Sequence, residues 1–384
     1  MFDLIKNKLS DFQFQKRICY FLLILGVLAK LVLLPVKTGD SVHFLKWIEF
    51  IKSHDYISSL KYTFYDYAPS YIYILILIAK IGLNPLYSIK IASIFFEYLA
   101  AFFIGKIAEI KYKSTITIWI SMAVIPLLPT IMLNSSYFTQ CDSIYTAFMI
   151  GSIFFILKKK QFLSVLFLGL AIAFKMQAVI LLPFFFVLLL RKNIRWYYFL
   201  IVPVVFLFSL MPAWFTGRSL IELLNVYVLQ TDHFRYLTLN FPNLYIWISN
   251  DYYQTVKITG MLFTFFTTLF SGIWLVRKKI EFTFEQWIRL AFLSSIFIPF
   301  ILPGMHERYM YMGDVLGILY FLVLRKNIHL PLGILIVSLY SYIRCSRFND
   351  VLPMWPAFFV YLSVIILSFI DFFKSFSNES KTVD

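Results

Sequence analysis

The sequence predicts an all-α, polytopic helical membrane protein, and three observations support this fold class. Of the 384 residues, 60% are hydrophobic, 20% are aromatic and only 14% are charged, whereas a soluble domain carries roughly 25% charged residues. Apolar runs that are long enough to cross a bilayer recur from one end of the chain to the other, which is typical of membrane helices. The runs are continuous and do not alternate with polar residues, which excludes a membrane β-barrel.

The charge of the chain fits the same class. The formal net charge is +15, but the Lys and Arg residues cluster at the ends of the apolar runs, as the positive-inside rule describes for membrane proteins. We therefore predict no nucleic-acid partner. The three cysteines, Cys19, Cys141 and Cys345, are far apart and lack metal-ligand spacing, so they predict no metal site.

Residues 1–17 combine apolar positions at helical spacing with basic neighbours, which predicts an amphipathic segment on the cytoplasmic membrane surface. A disordered basic tail is the alternative. The first apolar helix then leads into a first outer loop, 37–87. Within this loop the apolar run 68–83 decides the topology, because a crossing there would place the basic cluster 106–113 outside. A re-entrant or juxtamembrane helix at 68–83 instead leaves every later basic cluster inside, so we predict that arrangement.

The remaining apolar runs predict about twelve transmembrane helices. Their predicted ranges are 18–36, 88–106, 115–133, 143–158, 161–175, 176–190, 196–213, 257–276, 286–303, 309–324, 329–344 and 354–373. A long outer loop at 214–256 and a cytoplasmic tail at 374–384 complete one integral-membrane domain over 1–384, with both termini cytoplasmic.

This topology collects the chemically capable side chains on the outer face of the membrane, where loops on a rigid scaffold commonly form sites. Asp40 lies just beyond the first helix, at the apolar boundary, and suits a general base. The alternative is a solvated loop aspartate. The segment TFYDYAPSYIYI adds Asp66, Tyr67 and Tyr71. Its tyrosines fit either an ordinary interfacial belt or stacking on a sugar, and Asp66 either orients an acceptor hydroxyl or pairs with Lys61.

Two further segments carry polar residues at the outer ends of helices. Gln140 and Asp142 belong to LNSSYFTQCDSIY, where Asp142 is either a site residue or an ordinary acid at a helix N-terminus. Lys175 and Gln177 lie in the short turn AFKMQAV. A lysine here either snorkels to the interface or needs an anionic partner, which a lipid phosphate would supply.

The fourth segment, PGMHERYMYMGD, contains His306, Glu307 and Arg308 between two apolar helices. A surface turn is one interpretation, and a phosphate-binding site at membrane level is the other. The spacing differs from the two-histidine pattern of a zinc helix. Glu97 lies in the middle of an apolar run and therefore needs a partner inside the helix bundle.

Taken in order, these segments resemble a known family. It is the integral-membrane mannosyltransferases related to the second mannosyltransferase of GPI-anchor synthesis, within the GT-C glycosyltransferase superfamily. The residues that carry the resemblance are YDYAPSYIY, NSSYFTQCDSIY, FKMQ and LPGMHERY. The sequence departs from the family where Tyr-Ala-Pro replaces Tyr-Pro-Pro and Phe-Thr-Gln replaces Trp-Gly-Gln, so the sugar is left open between mannose and another hexose.

The resemblance implies an inverting transfer of one sugar from a polyprenyl phosphate to an extracytoplasmic glycan or glycolipid acceptor. It implies that Asp40 is the catalytic aspartate and that Asp142 is the acid of the second loop. It also implies that Lys175, His306 and Arg308 hold the donor phosphate. The expected substrate-binding set is Asp66, Tyr67, Tyr71, Gln140, Asp142, Lys175, Gln177, His306, Glu307 and Arg308. No cofactor is required, and a divalent cation at Asp142 or Glu307 is compatible with the sequence.

Two other functions remain alternatives at this stage. A flippase or transporter would place its charges near the bilayer midplane and often shows inverted repeats, neither of which is evident. A lipid-linked polysaccharide polymerase would share the lipid substrate and the compartment. The composition suggests a bacterial cell membrane as the location, with the active site outside the cytoplasm.

Overall fold

A computed structural model describes residues 11–230, 234–277, 281–347 and 351–377. Regular structure in these ranges is almost entirely helical, which confirms the all-α class. The described ranges contain two short strands of two residues each. They are Thr238–Leu239 (β1) and Met305–His306 (β2), and they pair in parallel. Most of the predicted amphipathic segment 1–17 and most of the predicted tail 374–384 lie outside the described residues.

The helices follow the predicted apolar runs closely. They are α1 Phe12–Leu33, α2 Gly39–Ser53, α3 Pro69–Ile81, α4 Pro85–Tyr112, α5 Ile116–Val124, α6 Pro129–Met132, α7 Asp142–Leu157, α8 Gln161–Phe174, α9 Leu182–Leu190, α10 Ile201–Phe215, α11 Leu220–Gln230, α12 Tyr253–Arg277, α13 Phe284–Ile301, α14 Tyr311–Leu324, α15 His329–Arg347 and α16 Trp355–Ser377.

Five helical segments of the described chain are long and apolar enough to cross a membrane. They are Pro85–Tyr112, Trp196–Phe215, Asn250–Arg277, Phe284–Ile301 and Trp355–Ser377. Several long apolar helices therefore fit a membrane protein, whereas the count of twelve crossings stays a prediction.

The helix predicted at 115–133 is wrong as a single straight element. The structure breaks it into two segments, Ile116–Leu127 and Pro129–Tyr137, which meet at an angle of 61°. Pro126 and Pro129 explain the break, because proline lacks the backbone N–H that a helix needs and its ring clashes with the preceding turn. The second segment ends in a π-helical turn at Leu133–Tyr137.

Most of the predicted first outer loop is helical. It contains α2, a 3₁₀ turn at Tyr56–Lys61 and α3. The 13 residues of α3 extend about 20 Å at 1.5 Å per residue, which is shorter than the roughly 30 Å hydrocarbon core of a bilayer. The helix α8, which was predicted to cross the membrane, is almost as short at 14 residues, so the re-entrant or juxtamembrane arrangement at 68–83 stays a prediction.

The chain divides into two compact units. The first comprises Met1–Met176 and Ile201–Val228, and the second comprises Gln177–Leu200 and Leu229–Asp384. The single domain expected from the sequence stays a prediction, and each unit is described by itself below.

The first unit packs α2 and α3 face to face. On α2 the buried residues Phe44, Trp47 and Ile51 recur at helical spacing and form one apolar stripe. They belong to one core cluster with Ile72 and Leu75 of α3. This packing fixes α2 along its length and therefore fixes the position of its first turn, where Asp40 lies.

In the second unit a buried polar group joins three helices. Arg289 of α13 donates from Nε to Oδ2 of Asp371 at 2.7 Å, and the Tyr320 hydroxyl donates to the same oxygen at 2.8 Å. Asn327 donates to the other carboxylate oxygen at 2.7 Å. Because both oxygens of Asp371 accept hydrogen bonds, the charge of Arg289 is compensated where α13, α14 and α16 meet.

Gly105 allows the closest helix contact in the first unit. A Cβ atom at this position of α4 would lie 2.4 Å from the Ile118 Cα and 2.5 Å from the Ser121 Oγ. Because the nearest atom belongs to the backbone of α5, the helices would have to separate. We expect Gly105→Ala to lower the free energy of unfolding by about 1–3 kcal/mol, measured by denaturant unfolding in detergent. Gly39→Ala is the matched control, since a Cβ there meets nothing within 4 Å, and an equal loss in both variants would contradict this explanation.

Candidate functional site

Asp40 lies in the first turn of α2 and not in a flexible loop, which corrects the placement expected from the sequence. Thr38 caps the helix, since its Oγ1 accepts a hydrogen bond from the Ser41 N–H while the Ser41 hydroxyl accepts from the Thr38 N–H. This reciprocal capping box fixes the first turn. Lys90 supports the preceding turn by donating to the carbonyl oxygens of Leu33 at 2.8 Å and Val36 at 2.7 Å. The Asp40 carboxylate is therefore held on a rigid element.

Gln140 fixes the orientation of that carboxylate. Its Nε2 donates to Oδ2 of Asp40 at 2.6 Å, and its Oε1 accepts from the Tyr67 hydroxyl at 3.2 Å. Asp40 is half-buried, and its Oδ1 makes no hydrogen bond to the described residues. One carboxylate oxygen is thus anchored, and the other remains available to accept a proton.

The π-helical turn at Leu133–Tyr137 sets the position of Gln140. The backbone N–H of Phe138 donates to the Leu133 carbonyl at 2.8 Å, and that of Gln140 donates to the Asn134 carbonyl at 2.8 Å. Between them Thr139 has a φ of +65°, a backbone conformation that is uncommon for residues other than glycine. Insertions of this kind are frequent at functional sites in helical proteins.

Asp142 is a second carboxylate with a different environment. It is fully buried, and its Oδ1 lies 2.5 Å from the Lys175 Nζ while its Oδ2 accepts from the Asn134 Nδ2 at 2.8 Å. Its place in the first turn of α7 also sets its charge at the positive end of the helix dipole. Both oxygens are engaged, so Asp142 is suited to anchoring its neighbours and not to accepting a proton.

The environment of Lys175 decides between the two interpretations of its turn. Lys175 is 7% exposed and paired with Asp142, so the snorkelling interpretation is wrong. The anionic partner that a buried cation requires is a carboxylate of the chain itself. A lipid phosphate at this position would therefore meet an ammonium whose charge is already compensated.

Tyr67 connects the two carboxylates. Its hydroxyl donates to Gln140, which holds Asp40, and the Lys175 Nζ lies 5.5 Å from the centre of its ring. Tyr71 packs against Tyr67 with ring centres 5.4 Å apart and is 2% exposed. The structure thus brings six of the predicted residues into one cluster. They are Asp40, Tyr67, Tyr71, Gln140, Asp142 and Lys175.

Asp66 is more exposed than these six residues. Its Oδ1 lies 3.9 Å from the Nε2 of His43, and both side chains are partly open to solvent. The sequence offered Lys61 as its partner, whereas the structure places the His43 ring beside it. The predicted role in substrate binding stays a prediction.

The other four predicted residues belong to the second unit. The Oε1 atom of Gln177 is buried without a hydrogen bond to the described residues. His306 lies on β2, with its ring 5.1 Å from those of Phe234 and Tyr309. Glu307 and Arg308 follow in a 3₁₀ turn, where the Arg308 Nη1 lies 3.5 Å from the Glu307 Oε1. The alternative of a surface turn does not fit the structure, because His306 and Glu307 are buried.

Three features of the first unit lie outside the predicted set of site residues. Asn134 anchors Asp142, as described above. Lys30 and Glu97 form a buried ion pair with Nζ and Oε2 2.6 Å apart, and the Ser135 hydroxyl donates to the other Glu97 oxygen. Arg218 is 3% exposed beside the Tyr65 ring. The sequence signal for the ion pair is that Lys30 and Glu97 are opposite charges in two apolar runs. This fits the prediction that Glu97 needs a partner inside the bundle.

No group of three or more His, Cys, Asp or Glu side chains in the described ranges is arranged to hold a metal ion. The compatibility with a divalent cation stays a prediction.

None of the known protein-family models matches the chain, and none of the curated proteins matches its sequence. The resemblance to membrane mannosyltransferases therefore depends on the quoted motifs alone, and any function must be argued from the geometry of the site.

Proposed function

We propose that this protein is an inverting glycosyltransferase that moves one hexose from a polyprenyl phosphate to a glycan or glycolipid acceptor. The observation that carries the proposal is the contrast between two neighbouring carboxylates. Asp142 has both oxygens engaged, while Asp40 has one oxygen anchored by Gln140 and the other unbound by the described residues. A pair of carboxylates in such different environments is typical of sites in which one acid acts on substrate and the other orients its neighbours.

In this reaction Asp40 acts as the general base. Its Oδ1 takes the proton of an acceptor hydroxyl while the hydroxyl oxygen forms a bond to the anomeric carbon of the sugar. The bond from that carbon to the phosphate oxygen breaks on the opposite face, and its electron pair leaves with the lipid phosphate. A positioned base contributes about 10²–10⁴ in rate, and a phosphate leaves without further activation.

The neighbouring residues support that base. Gln140 holds the carboxylate with its open oxygen outward, and Tyr67 holds Gln140. Lys175 and Asn134 hold Asp142, and the Lys175 ammonium also lies beside the Tyr67 ring. That His306 and Arg308 hold the donor phosphate stays an expectation from the resemblance.

The proposal includes a multi-pass protein in a bacterial cell membrane, with about twelve crossings and an active site outside the cytoplasm. Its partners are the lipid-linked donor, the acceptor and membrane lipid, with no nucleic acid.

Sugar transfer by the wild-type protein tests the proposal directly. The protein would be purified in detergent and supplied with radiolabelled polyprenyl phosphate sugars, nucleotide sugars and extracted envelope glycolipids. We expect transfer from a polyprenyl phosphate sugar and none from a nucleotide sugar, with inversion at the anomeric carbon. Transfer from nucleotide sugars alone would contradict the proposed donor. Transfer of whole oligosaccharide units would favour the polymerase, and movement of lipid without bond formation would favour the flippase.

A further inference from the structure

Arg218 differs from the other buried cations of the described chain. Five Lys and Arg residues are buried there, namely Lys30, Lys90, Lys175, Arg218 and Arg289. Three of the others pair with buried or largely buried carboxylates, and Lys90 donates to two carbonyl oxygens. Arg218 has no comparable partner, since its buried Nε and Nη1 donate no hydrogen bond to the described residues. A buried charge in this state is costly unless an anion compensates it.

The neighbours of Arg218 leave that charge largely uncompensated. The guanidinium carbon lies 4.6 Å from the centre of the Tyr65 ring, a cation–π contact. Burial raises the pKa of Tyr65, although the nearby Arg218 charge partly offsets this, so the Tyr65 hydroxyl is neutral at pH 7 and supplies no anion. The closest carboxylate is that of Glu222, 3.8 Å from the Arg218 Nε and 54% exposed. Solvent screens such an exposed partner strongly.

An apolar groove lies in the same unit, between α3, α8 and α10. Its volume is about 630 Å³, which is enough for part of a lipid chain. Each of the three helices contributes four lining residues, most of them apolar, such as Leu77, Leu170 and Phe208.

Three of the residues that line the groove are polar. Ser70 and Tyr73 are in the first two turns of α3, and Ser209 is in the second half of α10. The Ser70 Oγ is buried without a hydrogen bond to the described residues, while the Tyr73 hydroxyl donates to the Ser209 carbonyl at 2.8 Å. The other lining residues are apolar.

Arg218 is not one of the lining residues, but it lies near Tyr73, which is. It follows the end of α10 by three residues, and its backbone N–H donates to the Ala213 carbonyl at 3.4 Å. Burial raises the pKa of Tyr73, and the nearby charge of Arg218 partly offsets this. A buried cation with donors that are unused within the described residues therefore lies near a polar residue of a mainly apolar groove.

We infer that Arg218 and the groove between α3, α8 and α10 bind a single-chain lipid phosphate, with the phosphate on Arg218 and the chain in the groove. The guanidinium supplies the planar pair of N–H donors that matches phosphate oxygens, and the apolar lining matches the chain. The inference deepens the proposed function by assigning the phosphate of the lipid carrier to Arg218 in place of Lys175. Its test requires only a measurement of binding and no measurement of sugar transfer.

Geranylgeranyl phosphate is a suitable probe, with geranylgeraniol and inorganic phosphate as separate arms. Binding to the full-length protein in detergent is measured by the shift of its melting temperature with ligand concentration. We expect geranylgeranyl phosphate to raise the melting temperature at concentrations where neither other compound does. Arg218→Gln should weaken that binding roughly tenfold or more, since a hydrogen bond to a charged group is lost. Arg218→Lys should retain part of it.

Glu222→Gln provides a test that a purely structural role of Arg218 does not predict. Removing the competing carboxylate should strengthen binding of the lipid phosphate several-fold, and Glu222 is exposed enough to be replaced without disturbing the core. Leu170→Trp should weaken binding by filling the groove. Lys80→Gln is the control for loss of an exposed positive charge on α3 and should leave binding unchanged.

Binding by Arg218→Gln within twofold of wild type would overturn the inference, as would failure of the wild type to bind geranylgeranyl phosphate. If geranylgeraniol bound equally well, the phosphate would not contribute to binding. If inorganic phosphate bound equally well, the groove would not contribute. Either result would contradict the inference. If Arg218→Gln does not fold, unchanged affinity in both Glu222→Gln and Leu170→Trp would count against the inference. Binding that depends on Arg218 without any sugar transfer would contradict the proposed function and leave this site standing.

Discussion

Asp40→Asn is expected to reduce sugar transfer by about 10²–10⁴-fold while leaving the protein folded. The amide is nearly the same size as the carboxylate, and it can still accept the hydrogen bond from Gln140 that Oδ2 accepts at 2.6 Å. It cannot take a proton from the acceptor. The rate of a single turnover with saturating donor and acceptor measures the effect, so that substrate binding does not enter.

Asp55→Asn is the matched control for this prediction. Asp55 is an exposed aspartate of the same unit with a φ of +52°, and asparagine tolerates that conformation well. We expect transfer and stability to be unchanged in this variant. If the Asp40→Asn variant transferred sugar at more than half of the wild-type rate, Asp40 would not be the general base.

Asp142→Asn should fail in a different way from Asp40→Asn. Loss of the Asp142 charge leaves the buried Lys175 without its counterion, so the expected loss is in the amount of folded protein. Removing one partner of a buried pair costs about 3–5 kcal/mol. The comparison separates a carboxylate that acts on substrate from one that positions its neighbours.

The polar residues of the site were predictable from the sequence because each lies next to an apolar run and differs from it in polarity. Asp40, Gln140, Asp142 and Lys175 are polar groups at helix ends, and the order of the runs places those ends together. The pairing of Lys175 with Asp142 was not predictable. It depends on the position of α8 beside α7 and on the π-helical turn, neither of which has a signature in local composition.

Helix boundaries show the same division between local and tertiary information. The apolar runs were sufficient to locate the helices. The break after Leu127 depends on Pro126 and Pro129 acting together. The helix α2 begins at a capping box within the segment that was predicted to be a loop. Arg218 lies in the predicted outer loop 214–256, where the sequence gives no sign that it is buried. Its burial depends on tertiary packing, including the contact with the Tyr65 ring.

The pair formed by Lys30 and Glu97 gives the second large prediction. Lys30→Met is expected to lower the free energy of unfolding by about 3–5 kcal/mol, because the buried Glu97 carboxyl group would lose its partner. Lys30 and Glu97 are 3% and 1% exposed, with Nζ and Oε2 2.6 Å apart. The measurement is the midpoint of denaturant unfolding in detergent, and Lys16→Met on the same helix is the control for loss of a lysine outside the core.

The double variant Lys30→Met with Glu97→Gln separates the cost of an unpaired charge from the loss of packing. With both charges removed, the buried groups are neutral, and most of the stability should return. The Ser135 hydroxyl can still donate to the amide oxygen of the introduced glutamine, so the π-helical turn that carries Asn134 and leads to Gln140 should keep its position. Transfer activity should therefore recover together with stability. Recovery of stability without recovery of transfer would instead mean that the charges of this pair, and not only its packing, influence the carboxylates of the site.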